Sequence, residues 1–80
     1  MDNNGMNLTL EELSYYDGRE GRRAFAAVDG VIYDLTDSLL WVEGTHRRFL
    51  AGRDLTEEFY RCHPGFFVLS RFPVVGYLVE

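Results

Sequence analysis

AFAAVDGVIYDLTDS, residues 24–38, decides the fold. Two β-prone runs, AFAAV and VIYDL, flank Asp29-Gly30. Asp-Gly suits a two-residue type I′ turn, because both central positions need φ above zero. The stretch therefore predicts a hairpin with strands at 24–28 and 31–35. Thr36-Asp37-Ser38 ends the second strand, with Asp34 and Thr36 fixing the turn that leaves it.

Working outward, LTLEEL predicts a helix near 10–16. Thr9 is a good N-cap, Glu12 completes a capping box, and Leu8 and Leu13 stand at the positions of a hydrophobic staple. Asp17-Gly18 and Gly21 then stop that helix. Between Gly44 and Gly52 the pattern predicts a turn or two of helix. Asp54, with Glu57 three residues on, reads as a helix cap and not as a metal ligand. The following helix spans about 55–61, with Leu55, Phe59 and Cys62 on one face. Pro64 suits the first turn of a further helix over 64–71, which must end before Pro73. VVGYLV closes the chain as a strand at 75–79, and another short strand is expected near 7–8. Helix, hairpin, short helices, strand is an α+β order with a small mixed sheet.

The chain's 80 residues suit one domain over 8–80, after a polar N-terminus, 1–7, expected to be disordered. A domain this short buries only about 60–65% of its unfolded surface, and such domains often lean on a cofactor, metal or disulfide. Cys62 is the only cysteine, so a disulfide within the chain is excluded. No apolar run approaches a membrane span of about 20 residues. No signal peptide is expected, and the expected location is the cytoplasm. The net charge is −5 and all eight basic residues are Arg. That balance disfavours nucleic acid, which needs a positive face.

The two histidines, His46 and His63, are the candidate ligands. Taken alone, they read as ordinary surface or core residues before they read as a site. Neutral imidazole is nevertheless a common iron ligand. The surrounding Leu40, Trp41, Phe49, Phe59, Phe67 and Leu69 suit the lining of a flat apolar cofactor. Zinc lacks the CxxC or HxxxH spacing it uses. Cys62 beside His63 cannot align as a nucleophile pair within one helical turn.

The ordered segments LTLEELSYYDG, AFAAVDGVIYDLTDS, LWVEGTHRRFLAGRDLTEEF and FPVVGYL resemble the cytochrome b5-like heme/steroid-binding domain family. They cover nearly the whole chain from Leu8, and their order carries the resemblance. In ordinary members, one iron-ligating histidine precedes a Pro-Gly-Gly turn and the other follows an AG-x-D-x-T segment. His63 matches the second. The first is absent, and Leu39, Leu40 and Trp41 stand there instead. The membrane-associated progesterone receptor branch also lacks it, and a tyrosine ligates the iron from an EGPYGVFAGRD-like segment. EGTHRRFLAGRD is similar, with one extra residue and with His46 where the tyrosine would be.

The resemblance implies a small mixed sheet with short helices forming a cleft for non-covalent heme b. His46 and His63 would be the axial ligands, and Leu40, Trp41, Phe49, Leu55, Phe59, Phe67 and Leu69 the lining. Tyr33 joins the candidates, because a tyrosine elsewhere in the pocket can approach the iron. On its own residues, Tyr33 reads as a core ring with a locally bonded hydroxyl. Arg47, Arg48 and Arg53 are candidates to pair with the heme carboxylates. Two functions are implied by the resemblance. One is a monomeric, non-enzymatic electron carrier that docks a basic redox partner. The other is a carrier of heme or a steroid-like small molecule. A protein-interaction module is a third reading.

Overall fold

A computed structural model of the chain describes residues 5–37, 45–46, 49–62 and 72–80. The elements are β1 (Met6–Leu8), α1 (Leu10–Ser14), β2 (Phe25–Val28), β3 (Val31–Asp34), β4 (Thr45–His46), β5 (Phe49–Leu50), α2 (Thr56–Cys62) and β6 (Val74–Leu78). Among the described residues, one four-stranded sheet runs in the order β1-β6-β3-β2. β1 pairs with β6 in parallel, and the other pairs are antiparallel. This is the expected α+β class with a small mixed sheet. The strand expected near 7–8 begins at Met6, so Met6 and Asn7, the last residues of the stretch read as disordered, pair with β6.

The hairpin turns at Asp29-Gly30, with φ of 54° and 78°. Those values are what a type I′ turn requires. Its register sets Ala27 opposite Ile32 and Ala26 opposite Tyr33. Because side chains alternate along a strand, the hairpin sends two apolar sets to opposite faces. On one face Phe25, Ala27 and Ile32 pack with Leu8 and Leu13. On the other, Ala24, Ala26 and Leu35 pack with Ala51 and Leu55, while Val28 packs with Phe59.

α1 covers the first face. Its capping box is complete, since the Glu12 backbone N–H donates to Thr9 Oγ1 at 3.1 Å and the Thr9 N–H donates to Glu12 Oε1 at 2.9 Å. The staple pair Leu8 and Leu13 is buried, Leu13 completely. Removing such a side chain from water contributes about 1.5–3 kcal/mol.

Residues 51–55 and α2 cover the second face. Residues 51–55 run along the free edge of β2. The Gly52 N–H donates to the Phe25 carbonyl, the Ala27 N–H to the Arg53 carbonyl, and the Leu55 N–H to the Ala27 carbonyl. Asp54 Oδ1 accepts from the Thr56 backbone N–H at 3.1 Å, an Asx turn that leads into α2. α2 thus starts with its apolar side already against the sheet.

One expected element is corrected. Between Gly44 and Gly52 the chain forms a short antiparallel pair, β4 with β5, and not helical turns. Thr45 and Phe49 are strand-prone types, and Gly52 ends the segment at a φ of 86°. The helix expected over 64–71 lies outside the described residues.

Candidate functional site

The second sheet face, with α2 over it, is where the sequence-predicted pocket residues meet. Phe59 on α2 and Leu55, the residue just before that helix, are spaced i, i+4 and face the same way. Both are buried, at 6% and 8% exposure, so they are a packed floor and not open surface. Tyr33, half-buried on β3, packs against both clusters of this face, together with Phe72. Burial pushes the Tyr33 hydroxyl upward in pKa, and the nearby Asp29 and Tyr77 add to it. Among the described residues no hydrogen bond to that hydroxyl is seen.

His46 and Phe49 are brought together by the backbone, as facing partners of β4 and β5. His63 comes directly after the last residue of α2, Cys62, in sequence. His63, Leu40, Trp41, Phe67 and Leu69 lie outside the described residues, as do Arg47 and Arg48. Arg53 is exposed and lines a cleft of about 230 Å³ with Ser14, Asp17, Arg19, Leu50, Ala51 and Gly52. That polar cleft at the end of α1 is distinct from the apolar face under α2.

Sequence reasoning missed how α2 is fastened. Thr56 Oγ1 donates to Asp54 Oδ1 at 2.5 Å and accepts the Asp29 backbone N–H at 2.8 Å. One turn later the Tyr60 hydroxyl donates to the Asp29 carboxylate. That bond raises the Tyr60 pKa to about 12. Thr56 and Tyr60 are spaced i, i+4, so their shared helix side was legible. Their common partner, on a turn distant in sequence, was not.

At the other end of the hairpin, Arg23 pairs with Asp34 at 2.6 Å. The Thr36 N–H donates to Asp34 Oδ1 and the Ala24 N–H donates to Thr36 Oγ1, each at 2.9 Å. These bonds fix the exit from β3, as the sequence predicts. Burial works to raise the Asp34 carboxyl, but the bonds from Thr36 and Arg23 outweigh it and hold it below its ordinary range.

A flat apolar group is compatible with this face. The floor is made of Val28, Leu55, Phe59 and the Tyr33 ring, and among the described residues no polar or charged residue is buried. Among the described residues no helix is long and apolar enough to cross a membrane.

Comparison with known proteins agrees with this geometry. Residues 9–79 match the family model described as cytochrome b5-like heme/steroid binding domain. A cytochrome b5 domain protein of Methanococcoides burtonii superposes with a TM-score of 0.87 at 39% identity, covering 92% of this chain and 97% of that one. A cytochrome b5 domain protein of Hadesarchaea gives 0.85 at 44% identity, covering 92% and 99%. A hypothetical protein of Arabidopsis thaliana with a cytochrome b5-like fold gives 0.73 at 19% identity, covering 100% and 96%, and supports the fold alone. No curated protein matches in sequence.

Proposed function

The chain belongs to the cytochrome b5-like heme/steroid binding domain family, and from that premise we propose that it binds heme b between His46 and His63 and carries single electrons. The observation that supports this most is the apolar floor of Val28, Leu55, Phe59 and Tyr33, with α2 running to the residue before His63. When bound, heme would supply an iron that exchanges one electron, and His46 and His63 are the residues that would hold it. The chain's own part is to hold and shield. Leu55 and Phe59 keep water from the floor, and Leu40, Trp41, Phe49, Phe67 and Leu69 complete the lining. Arg47 and Arg48 are the candidates to pair with the carboxylates.

Domains of this family are typically electron carriers or binding modules, and neither role requires catalysis. A net charge of −5 favours a redox partner with a basic surface, met through weak, salt-sensitive docking. A cytoplasmic monomer is the simplest form for that exchange.

A second reading draws on the Tyr33 hydroxyl, which has no partner among the described residues. It suits an oxygen-ligated heme, or a steroid-like ligand, as in the receptor branch. One experiment separates the two. Purified chain is titrated with hemin and its absorption is read oxidised and reduced. The expected spectrum is six-coordinate and low-spin, turning high-spin in His46→Ala and in His63→Ala. A five-coordinate wild-type spectrum overturns bis-histidine ligation, and a low-spin spectrum surviving His46→Ala removes that residue. Chain that takes up no hemin overturns heme binding altogether.

A further inference from the structure

We propose that Tyr60 and Asp29 are positioning residues for the heme site: their hydrogen bond sets the course of α2, and so the placement of the axial ligand His63. This rests on the heme-binding reading. α2 is fastened to the β2–β3 turn twice on one side. At its start, Thr56 Oγ1 accepts the Asp29 N–H, and Asp54 accepts from Thr56. One turn on, the Tyr60 hydroxyl donates to Asp29 Oδ2. About 100° round the helix from Thr56 and Tyr60, Leu55 and Phe59 pack against the sheet.

The two attachments do different things. Asp54 and Thr56 fix only where the helix begins. Tyr60 fixes the direction in which its second turn leaves, and it stands three residues before His63. Its ring also meets Phe59 edge-on, with centroids 5.5 Å apart, so the same residue braces the floor. The anchor is rigid, because Asp29 sits in a type I′ turn with φ of 54° inside a paired hairpin. Tyr60 is 38% exposed, so its bond adds little to the core itself. A hydroxyl–carboxylate bond at a half-exposed site, spanning 31 residues, fits a role in orientation better than one in bulk stability.

The test uses the full chain loaded with hemin. Tyr60→Phe removes the donor and keeps the ring. Asp29→Gly removes the acceptor and tolerates the positive φ. Asp29→Asn keeps an acceptor oxygen and also tolerates that φ. Heme release to an excess of apomyoglobin and the low-spin ferric EPR signal are the readouts. Neither reports stability directly, and apoprotein melting is measured beside them. Tyr60→Phe and Asp29→Gly are expected to release heme about ten- to hundredfold faster, as happens when the groups supporting a metal ligand are lost. Both should shift the EPR g-values in the same direction, and the double variant should be no worse than either single. Asp29→Asn should stay near wild type. Unchanged release and EPR in Tyr60→Phe, or release that rises only in step with lost apoprotein stability, overturns the assignment. Wild-type chain that binds no hemin overturns the heme reading itself, a result distinct from bound heme indifferent to these changes.

Discussion

Gly76→Ala should separate β1 from the sheet. An ideal Cβ at position 76 collides with the Met6 carbonyl oxygen and lies 2.7 Å from the Met6 carbonyl carbon and 2.8 Å from its nitrogen. All three are backbone atoms of the neighbouring strand, so no side chain can swing aside. Gly76 does not need a positive φ, so any loss comes from contact and not from dihedral strain. Relief means detaching a strand that pairs at Met6, Asn7 and Leu8. Re-exposing Leu8, now at 8%, costs about 1.5–3 kcal/mol. Each backbone hydrogen bond lost adds roughly 1 kcal/mol. The total is about 3–5 kcal/mol, a large part of the roughly 5–15 kcal/mol available to a domain. At about 4–8 °C per kcal/mol for this size, the melting midpoint should fall by roughly 12 °C or more. Urea unfolding of ligand-free protein, followed by far-ultraviolet circular dichroism, measures it. A loss below about 1 kcal/mol would refute the reasoning, since no rearrangement that keeps β1 paired accommodates this methyl group cheaply.

Thr9→Ala should cost about 1 kcal/mol by removing the capping oxygen of α1, and Thr9→Ser should recover most of it in the same urea assay. Stability should form a plateau bounded by different groups. Asp17 is held below its ordinary 3.8, first by the Arg19 backbone N–H and also by Arg22, and Asp34 is lowered too. Folded carboxyls with lowered pKa stabilise the fold above 3.8, and that stability is lost as pH falls through their folded values. On the alkaline side, Tyr60 is raised from 10.0 to about 12 by its bond to Asp29. Its contribution is whole below pH 10 and is lost as pH climbs to about 12. Tyr33, raised by burial, acts in the same direction. Urea midpoints across pH in Tyr60→Phe should show a shallower alkaline limb, and an unchanged limb would count against the assigned bond.

The fold was legible where local chemistry and burial ask for the same thing. Asp29-Gly30 could only turn one way between two β-prone runs, and Thr9 with Glu12 marked the start of α1 to the residue. The stretch between Gly44 and Gly52 misled because glycines bound a helix and a hairpin equally well. With so few residues between them, no periodicity distinguishes the two. The strand-like path of residues 51–55 was also hidden. Its backbone bonds go to Phe25 and Ala27, and no pattern in AGRDL announces a partner that far away.

The candidate site shows the same division. Leu55 and Phe59 were found from helical spacing, because burial on one face of a helix leaves a period. Their near-complete burial could not be read there, since it depends on Ala24, Ala26 and Leu35 for Leu55, and on Val28 for Phe59, arriving from the hairpin. Those small side chains matter. Ala24 and Ala26 leave the second face shallow enough for α2 and residues 51–55 to lie close, while Phe25 fills the first face under α1. AFAA thus encodes two depths on opposite sides of one strand. The deep side is occupied by the protein's own aromatic rings, Tyr16 stacked on Phe25 with centroids 4.5 Å apart. On the shallow side, α2 is held by Asp29 from the turn and by Leu55 and Phe59 from beneath, so a change at the hairpin tip should reach the proposed ligand at position 63 through the helix, without touching the pocket lining.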